Sequence, residues 1–211
     1  MKKFFLTLGV ALFAVQVDAQ YGSVELSSGG FSFIPDFTSR DPHIILSAGT
    51  GTGKRLSAHF LSLIRTDNLT PRNAIFITRY QLIDRRFKLS IGTHLPGLQI
   101  TDDFTVDSFF GQEVLTNYRI NDKWSLRSMY LHGKGRNLDL EMNFFTAGAA
   151  YAKGKLNTYS QFWILDLDNA FGFSQSVGYQ LAPHYSLRLF ANQTLTGEKD
   201  FIATIGLNRS F

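Results

Sequence analysis

Residues 179–192 read Tyr179-Gln180-Leu181-Ala182-Pro183-His184-Tyr185-Ser186-Leu187-Arg188-Leu189-Phe190-Ala191-Asn192, two segments joined by a short turn. After the turn, Tyr185, Leu187 and Leu189 share one face with Ala191, while the alternate positions are mostly polar. A period of two residues is typical of a β-strand with two different faces. This stretch therefore predicts two antiparallel strands with a tight connection.

The same alternation recurs along the chain, and we find no convincing helical stripe after Gln20. It is clearest in 87–95, 171–179 and 201–208, where one face is aliphatic or aromatic and the other is polar or small. A soluble β-sandwich would show the same alternation, so segment length and turn chemistry must decide. The segments run to about 9–11 residues, which is the length that a tilted strand needs to cross a bilayer.

Three short turns share a form, since each has an aromatic residue before and after a polar connection. The flanking residues predicted to lie at a membrane interface are Tyr80, Tyr118, Trp124, Tyr179 and Tyr185. Amphipathic aromatic side chains at strand ends are what a membrane interface selects. The pattern favours a membrane barrel, with a soluble periplasmic β-sandwich as the alternative.

The spacing of these turns predicts the number of strands. From Asp84 to Pro183 there are three intervals of roughly 33 residues, and a closed single-chain barrel has an even number of strands. About twelve strands result, with ten as the alternative. They are predicted at 22–34, 43–50, 55–65, 74–83, 86–95, 106–120, 124–133, 139–151, 156–166, 170–180, 185–194 and 200–211. Gly29 and Gly30 interrupt the alternation of the first predicted strand. None of the longer connections is long enough to be a constriction loop.

Composition excludes several classes of protein. The 211 residues are 44% hydrophobic, too apolar for a disordered chain, yet contain no apolar run of the roughly 20 residues that a membrane-spanning helix needs. The chain has no cysteine, so disulfides, thiolate metal sites and thiol nucleophiles are excluded.

The first segment reads as a secretory signal peptide. Lys2 and Lys3 precede an apolar stretch, and the small residue Ala19 closes it before Gln20. We predict a cleaved signal peptide at 1–19 and one barrel domain at 20–211.

Together, the export signal, the aromatic-flanked turns and the final amphipathic strand resemble the outer-membrane β-barrel proteins of Gram-negative bacteria. The last strand resembles the carboxy-terminal assembly signal of that family at Phe201, Ala203, Ile205, Leu207 and Phe211, although Arg209 departs from the apolar series. The resemblance implies location in the outer membrane, contact with its lipids, and recognition by the barrel insertion machinery. It names no specific subfamily.

The predicted inward face collects more cations than anions. The candidates for lining the lumen are Arg55, Arg65, Arg79, Arg86, Lys88, Arg119, Arg127 and Arg188, with Asp107, Glu113, Asp139 and Glu141. A positive excess in a confined passage attracts anions. The leading hypothesis is a small passive or weakly selective channel for small solutes, anionic ones included. The alternative is a structural or accessory barrel whose charges pair, whose lumen is filled, and which binds another envelope component.

The sequence predicts no cofactor, metal, nucleotide or nucleic-acid site. Residues 49–55 resemble a phosphate-binding loop only loosely, because Ala48 and Arg55 occupy positions that need glycine and a hydroxyl residue. The five histidines show no metal-ligand spacing of the His-Glu-x-x-His kind, and the cations are dispersed rather than clustered in a groove.

A membrane-embedded acyl hydrolase is the minor catalytic alternative. Ser128 and His132 share a face, but four residues of strand separate them by about 13 Å. Asp139 approaches His132 only if a bulge realigns the two strands. No catalytic residues are therefore assigned, and we predict that the protein is not an enzyme.

Overall fold

The computed structural model describes residues 21–29, 34–35, 38–50, 55–101, 105–137, 139–196 and 200–211. The predicted signal peptide at 1–19 lies outside these ranges. No helix within them is long and apolar enough to cross a membrane.

Twelve strands account for most of the described chain. They are β1 Tyr21–Ser27, β2 His43–Gly49, β3 Leu56–Arg65, β4 Pro71–Asp84, β5 Phe87–Ile100, β6 Val106–Arg119, β7 Trp124–Gly135, β8 Glu141–Lys153, β9 Leu156–Leu165, β10 Ala170–Ala182, β11 Tyr185–Thr194 and β12 Phe201–Ser210. A 3-10 turn spans Leu167–Asn169 between β9 and β10.

Every strand pairs with its sequence neighbours in antiparallel fashion, and β1 pairs with β12 to close the ring. The prediction of a closed barrel with about twelve strands is confirmed, and the soluble sandwich is wrong. Closure satisfies the strand-edge amides, which cost several kcal/mol each if left unpaired in hydrocarbon.

The two ends of the barrel differ. The short-turn end holds the connections 50–55, 85–86, 120–123, 154–155 and 183–184 together with Tyr21 and Phe211. The long-loop end holds the connections 28–42, 66–70, 101–105, 136–140, 166–169 and 195–200.

The outward face is apolar, as the alternation predicted. Outward side chains such as Leu126, Phe173, Leu189 and Ile205 are exposed on the barrel surface. The five aromatic residues predicted at an interface, Tyr80, Tyr118, Trp124, Tyr179 and Tyr185, all lie on this face towards the short-turn end. A belt at one level is what amphipathic rings at a lipid–water boundary would form.

The inward face differs from the expectation of a uniformly polar lumen. In the long-loop half, inward side chains form a buried apolar cluster of Leu131, Met142, Phe144, Trp163, Leu165 and Ala170, joined by Ile34. This cluster fills the β7–β10 side of the long-loop half, where the opposite strands carry the buried polar residues Ser27, His43 and Thr194.

Several strand boundaries differ from the prediction, two of them by five residues or more. β1 ends at Ser27, and Ile34 lies inside the barrel instead of continuing the strand. β5 continues through Pro96, which was expected to begin a loop, because a register shift between His94 and Gly97 accommodates it. Proline has no amide hydrogen for the ladder and is tolerated at such a bulge.

Candidate functional site in the lumen

An open cavity of about 850 Å³ occupies the central part of the lumen. It continues at the short-turn end into a mouth of about 630 Å³, since both are lined by Lys88, Asn117, Arg127, Asn157 and Tyr159. The cavity wall carries four of the predicted lumen cations, Arg79, Lys88, Arg127 and Arg188.

Arg79 belongs to a buried charge network at mid-barrel. The side chain of Glu113 on β6 is 1% exposed and contacts Arg79 on β4 and His94 on β5. Arg79 Nη2 donates to its Oε2 at 3.2 Å, and His94 Nε2 lies 3.0 Å from the same atom. The carboxylate offsets the charge of Arg79, so this cation is not available to a solute as a bare charge.

Arg188 is paired in a similar way with Glu25. Its Nη2 and Nε donate to Glu25 Oε1 at 2.6 and 3.0 Å. Glu25 is absent from the lumen residues that the sequence predicts. Its neighbours Val24 and Leu26 are apolar and face outward, so the alternation of the first strand already places Glu25 on the inward face.

Both ion pairs cross a strand that carries glycine at the crossing point. Arg79 and Glu113 are Cα partners of Gly92 on β5, between β4 and β6. A Cβ at position 92 would lie 2.6 Å from Glu113 Oε1. Gly206 on β12 is the Cα partner of Arg188 on β11 and of Ser27 on β1, and a Cβ there would overlap the carboxylate of Glu25, two residues before Ser27. Glycine therefore lets each carboxylate lie flat against the wall.

We expect Gly206→Ala to destabilise the barrel by about 1–3 kcal/mol, because the new methyl group displaces Glu25 from Arg188. Unfolding in urea from lipid vesicles measures this loss. Gly22→Ala is the matched control, since a Cβ at Gly22 has no neighbour nearer than 3.9 Å. Equal stability of the two variants would contradict the role given to Gly206.

Arg127 differs from these two cations because the described residues place no carboxylate within 4.0 Å of it. Its guanidinium lies 5.7 Å from the centroid of the Tyr159 ring, on the wall shared by cavity and mouth. Lys88, nearby on β5, contacts Asp84 at 2.8 Å, with both side chains half exposed. Among the described residues, Arg127 is thus the cation of the cavity wall that has no carboxylate partner.

Arg86 and Arg119 lie at the mouth. Arg86 donates from Nε to the Arg119 carbonyl and from Nη2 to the Ile120 carbonyl, each at 2.9 Å, and lies over the Tyr118 ring. Arg86 therefore links the 85–86 turn to the neighbouring 120–123 turn. The side chains of Arg86 and Arg119 both add positive charge to the rim of the mouth.

The remaining lumen candidates lie at the barrel ends. Arg55 is exposed in the 50–55 connection, and Arg65 at the end of β3 pairs with Asp67 at 2.6 Å. Asp107 at the start of β6 lies 3.4 Å from Asn137 Nδ2. None of these three lines the central cavity.

Asp139 and Glu141 depart from the prediction of a lumen position. Asp139 is exposed in the 136–140 connection. Glu141, the first residue of β8, is the Cα partner of Lys134, and this exposed pair belongs to the outward set. The predicted strand 139–151 began two residues early, and a polar residue at a strand end carries little information about the face.

The predicted assembly-signal residues Phe201, Ala203, Ile205 and Leu207 alternate outward along β12, and Phe211 follows the strand. Arg209 continues this face, with its guanidinium 5.8 Å from the Tyr185 ring and 5.0 Å from the Phe211 ring. The aromatic contacts explain how a cation fits into an otherwise apolar series.

The outward histidine considered for hydrolysis has other partners than those proposed. His132 Nδ1 lies 3.1 Å from Asn143 Oδ1, whereas Ser128 Oγ is paired with Thr116 Oγ1 at 2.7 Å. In the described ranges, His132 makes no hydrogen bond to a serine or threonine hydroxyl. Asp139 contributes nothing to this cluster.

Asp166, in the connection after β9, contacts Asn143 at the long-loop end. It accepts hydrogen bonds from the backbone and side-chain amides of Asn143, both at 2.6 Å. Burial raises the pKa of the Asp166 carboxyl, but these hydrogen bonds outweigh it and leave the pKa below its ordinary value.

Nothing among the described residues gathers three metal-ligating side chains.

These features define a porin-like β-barrel: a closed ring of twelve antiparallel strands with an apolar exterior and a partly open, charged lumen. A scan of known protein-family models finds no match. No curated protein matches the sequence either.

Solved structures show the same fold. The chain is similar to the KdgM porin, with a TM-score of 0.65 and 8% identity over 90% of this chain and 99% of that chain. A KdgM porin in complex with disordered oligogalacturonate gives a TM-score of 0.64 and 9% identity over 90% and 98%. The NanC porin gives 0.57 and 9% over 90% and 97%.

Proposed function

We propose that this protein is an outer-membrane barrel that passes small anionic solutes through its lumen. The observation that carries the proposal is Arg127, a cation without a carboxylate partner among the described residues, on the wall of a cavity of about 850 Å³. Positive potential in a narrow, low-dielectric passage concentrates anions and repels cations.

The likeness to porins supports this proposal. One of the similar structures holds oligogalacturonate, an acidic carbohydrate, which is the chemical class that a cationic lumen would take. In such barrels, short turns face the periplasm and longer loops face outward. The mouth with Arg86 and Arg119 therefore opens to the periplasm, and the apolar cluster lies towards the exterior.

A closed structural barrel is the second candidate. The apolar cluster around Phe144 and Trp163, both fully buried, favours it because a filled half-lumen blocks hydrated solutes. Such a barrel would bind another envelope component, and a stoichiometric partner recovered from native outer membranes would support it.

Reconstitution distinguishes these candidates. In planar bilayers under a KCl gradient, we expect the purified barrel to give discrete currents with a reversal potential that shows chloride preferred over potassium. The absence of currents, together with no uptake of small acids into liposomes, would contradict the channel. Cation preference would contradict the part assigned to Arg127.

Arg127→Gln should lower the permeability ratio of chloride to potassium about twofold or more, because it removes a cavity cation that no described carboxylate pairs with. The reversal potential measures the ratio directly. Arg127→Lys keeps the charge and should preserve the preference. An unchanged ratio in Arg127→Gln would show that another group sets the selectivity.

A further inference from the structure

A polar row crosses the outward face of five neighbouring strands. Thr78 on β4 is the Cα partner of Thr93 on β5, which is in turn the partner of Gln112 on β6. Gln112 opposes His132 on β7, and His132 opposes Asn143 on β8. The row therefore interrupts the apolar surface on the outside of the barrel.

The central residues of this row have no hydrogen-bond partner within the described ranges. Thr93 Oγ1 is buried and unpaired, and the exposed side-chain amide of Gln112 bonds to no described residue. Both residues lie at the middle of 14-residue strands, the level of the hydrocarbon core in a bilayer. A polar group without a partner is costly there, and intramembrane polar groups often mark functional sites.

Other outward polar side chains find partners within the barrel. Thr116 Oγ1 and Ser128 Oγ lie 2.7 Å apart on β6 and β7, and Ser160 Oγ on β9 donates to Gln175 Oε1 on β10. These pairs satisfy their hydroxyl groups without any contribution from lipid. The unpaired amide of Gln112 therefore points to a partner from outside the chain.

The row lines an open groove of about 720 Å³ on the outward face. The apolar side chains of the groove are mainly Ile91, Leu95, Phe110, Val114 and Tyr130. Ligand sites in proteins have volumes of about 300–1,000 Å³ and are mostly apolar, with a few polar groups that orient the ligand.

The polar groups of the groove indicate the chemistry of its ligand. Thr78, Thr93 and Gln112 are uncharged, and each can both donate and accept a hydrogen bond. Arg79 and Glu113, which also line the groove, pair with each other. These groups match a hydroxyl or an amide better than they match a phosphate or a carboxylate.

We propose that this groove binds a membrane amphiphile whose apolar chain carries a hydroxyl or amide group, and that Gln112 contacts this group. The inference goes beyond the channel and rests on the proposed function only for the membrane location. The ligand enters sideways from the bilayer, because the groove opens on the outward face. Its polar group lies at mid-membrane depth, since Gln112 is at the middle of its strand.

A matched pair of lipids tests the groove. The probe is a phosphatidylcholine with a 12-hydroxystearoyl chain, and distearoyl phosphatidylcholine lacks only the hydroxyl group on that chain. The barrel is reconstituted in an equimolar mixture and isolated in mild detergent, and the retained lipids are quantified by mass spectrometry. We expect the hydroxylated lipid to be enriched about threefold or more over the bulk mixture, because its hydroxyl gains a hydrogen bond from Gln112.

Gln112→Leu should return the retained lipids to the ratio of the bulk mixture. Leucine suits a lipid-facing surface, so this variant should fold as the wild type does, which heat-dependent gel mobility checks. Gln175→Leu is the matched control, since it makes the same change on the outward face of β10, outside the groove. This control should keep the enrichment.

Equal enrichment around the wild type and Gln112→Leu, or none around either, would overturn the groove. A wild-type dimer in native mass spectrometry that Gln112→Leu abolishes would also overturn it, because a second copy of the chain would then be the occupant. The assay needs no conductance, so these results leave the proposed channel intact. A barrel that does not insert into vesicles would contradict both proposals.

Discussion

Glu113→Gln is expected to lower the free energy of unfolding by about 3 kcal/mol. Glu113 is fully buried between Arg79 and His94, and the amide removes the only negative charge in this group. Removing one partner of a buried pair costs about 3–5 kcal/mol, and the partial exposure of Arg79 keeps the loss at the lower end of that range. Urea unfolding in lipid vesicles, followed by tryptophan fluorescence, measures it.

Glu141→Gln is the matched control for this prediction. It makes the same chemical change in an exposed pair with Lys134, where both side chains are more than half open to solvent. Such pairs contribute about 0–1 kcal/mol, so the control should stay close to the wild type. A loss in Glu113→Gln as small as that in Glu141→Gln would show that the mid-barrel network does not stabilise the fold.

Leu189→Arg should destabilise the membrane-inserted barrel by about 2–4 kcal/mol. Leu189 is 46% exposed on the outward face and lies at the middle of β11, where the bilayer is least tolerant of charge. The same urea titration in vesicles measures this loss, and folding yield should fall with it.

Leu69→Arg makes the same substitution outside the strands, in the 66–70 connection, and should be nearly neutral. If both variants were equally stable, Leu189 would not face hydrocarbon. The inside-out placement of apolar residues, and with it the membrane location, would then be wrong.

The number of strands and the orientation of the outward face could be predicted from the sequence. Strands that face lipid on one side must alternate strictly, as 185–192 do, because a one-residue slip would place Ser186 or Arg188 in hydrocarbon. The aromatic residues beside the turns, such as Tyr118 and Trp124, then fix where strands end.

The interior was harder to predict because both apolar and polar side chains are compatible with an enclosed lumen. Phe144 and Trp163 alternate with the outward apolar residues Phe145, Phe162 and Ile164, so the long-loop ends of β8 and β9 carry no polar residue that distinguishes the inside from the outside there. The Glu25–Arg188 pair joins residues 163 positions apart, and only the closure of the ring brings them together.

Ile34, which follows β1 in the chain, belongs to the apolar cluster on β7–β10. Its partners on β7–β10 follow it by about a hundred residues or more, so this contact has a very high contact order. The amino-terminal strands cannot complete their packing until most of the polypeptide has been delivered and the circle has formed. Maturation should accordingly be a late and cooperative event, with partly assembled chains lacking a finished interior.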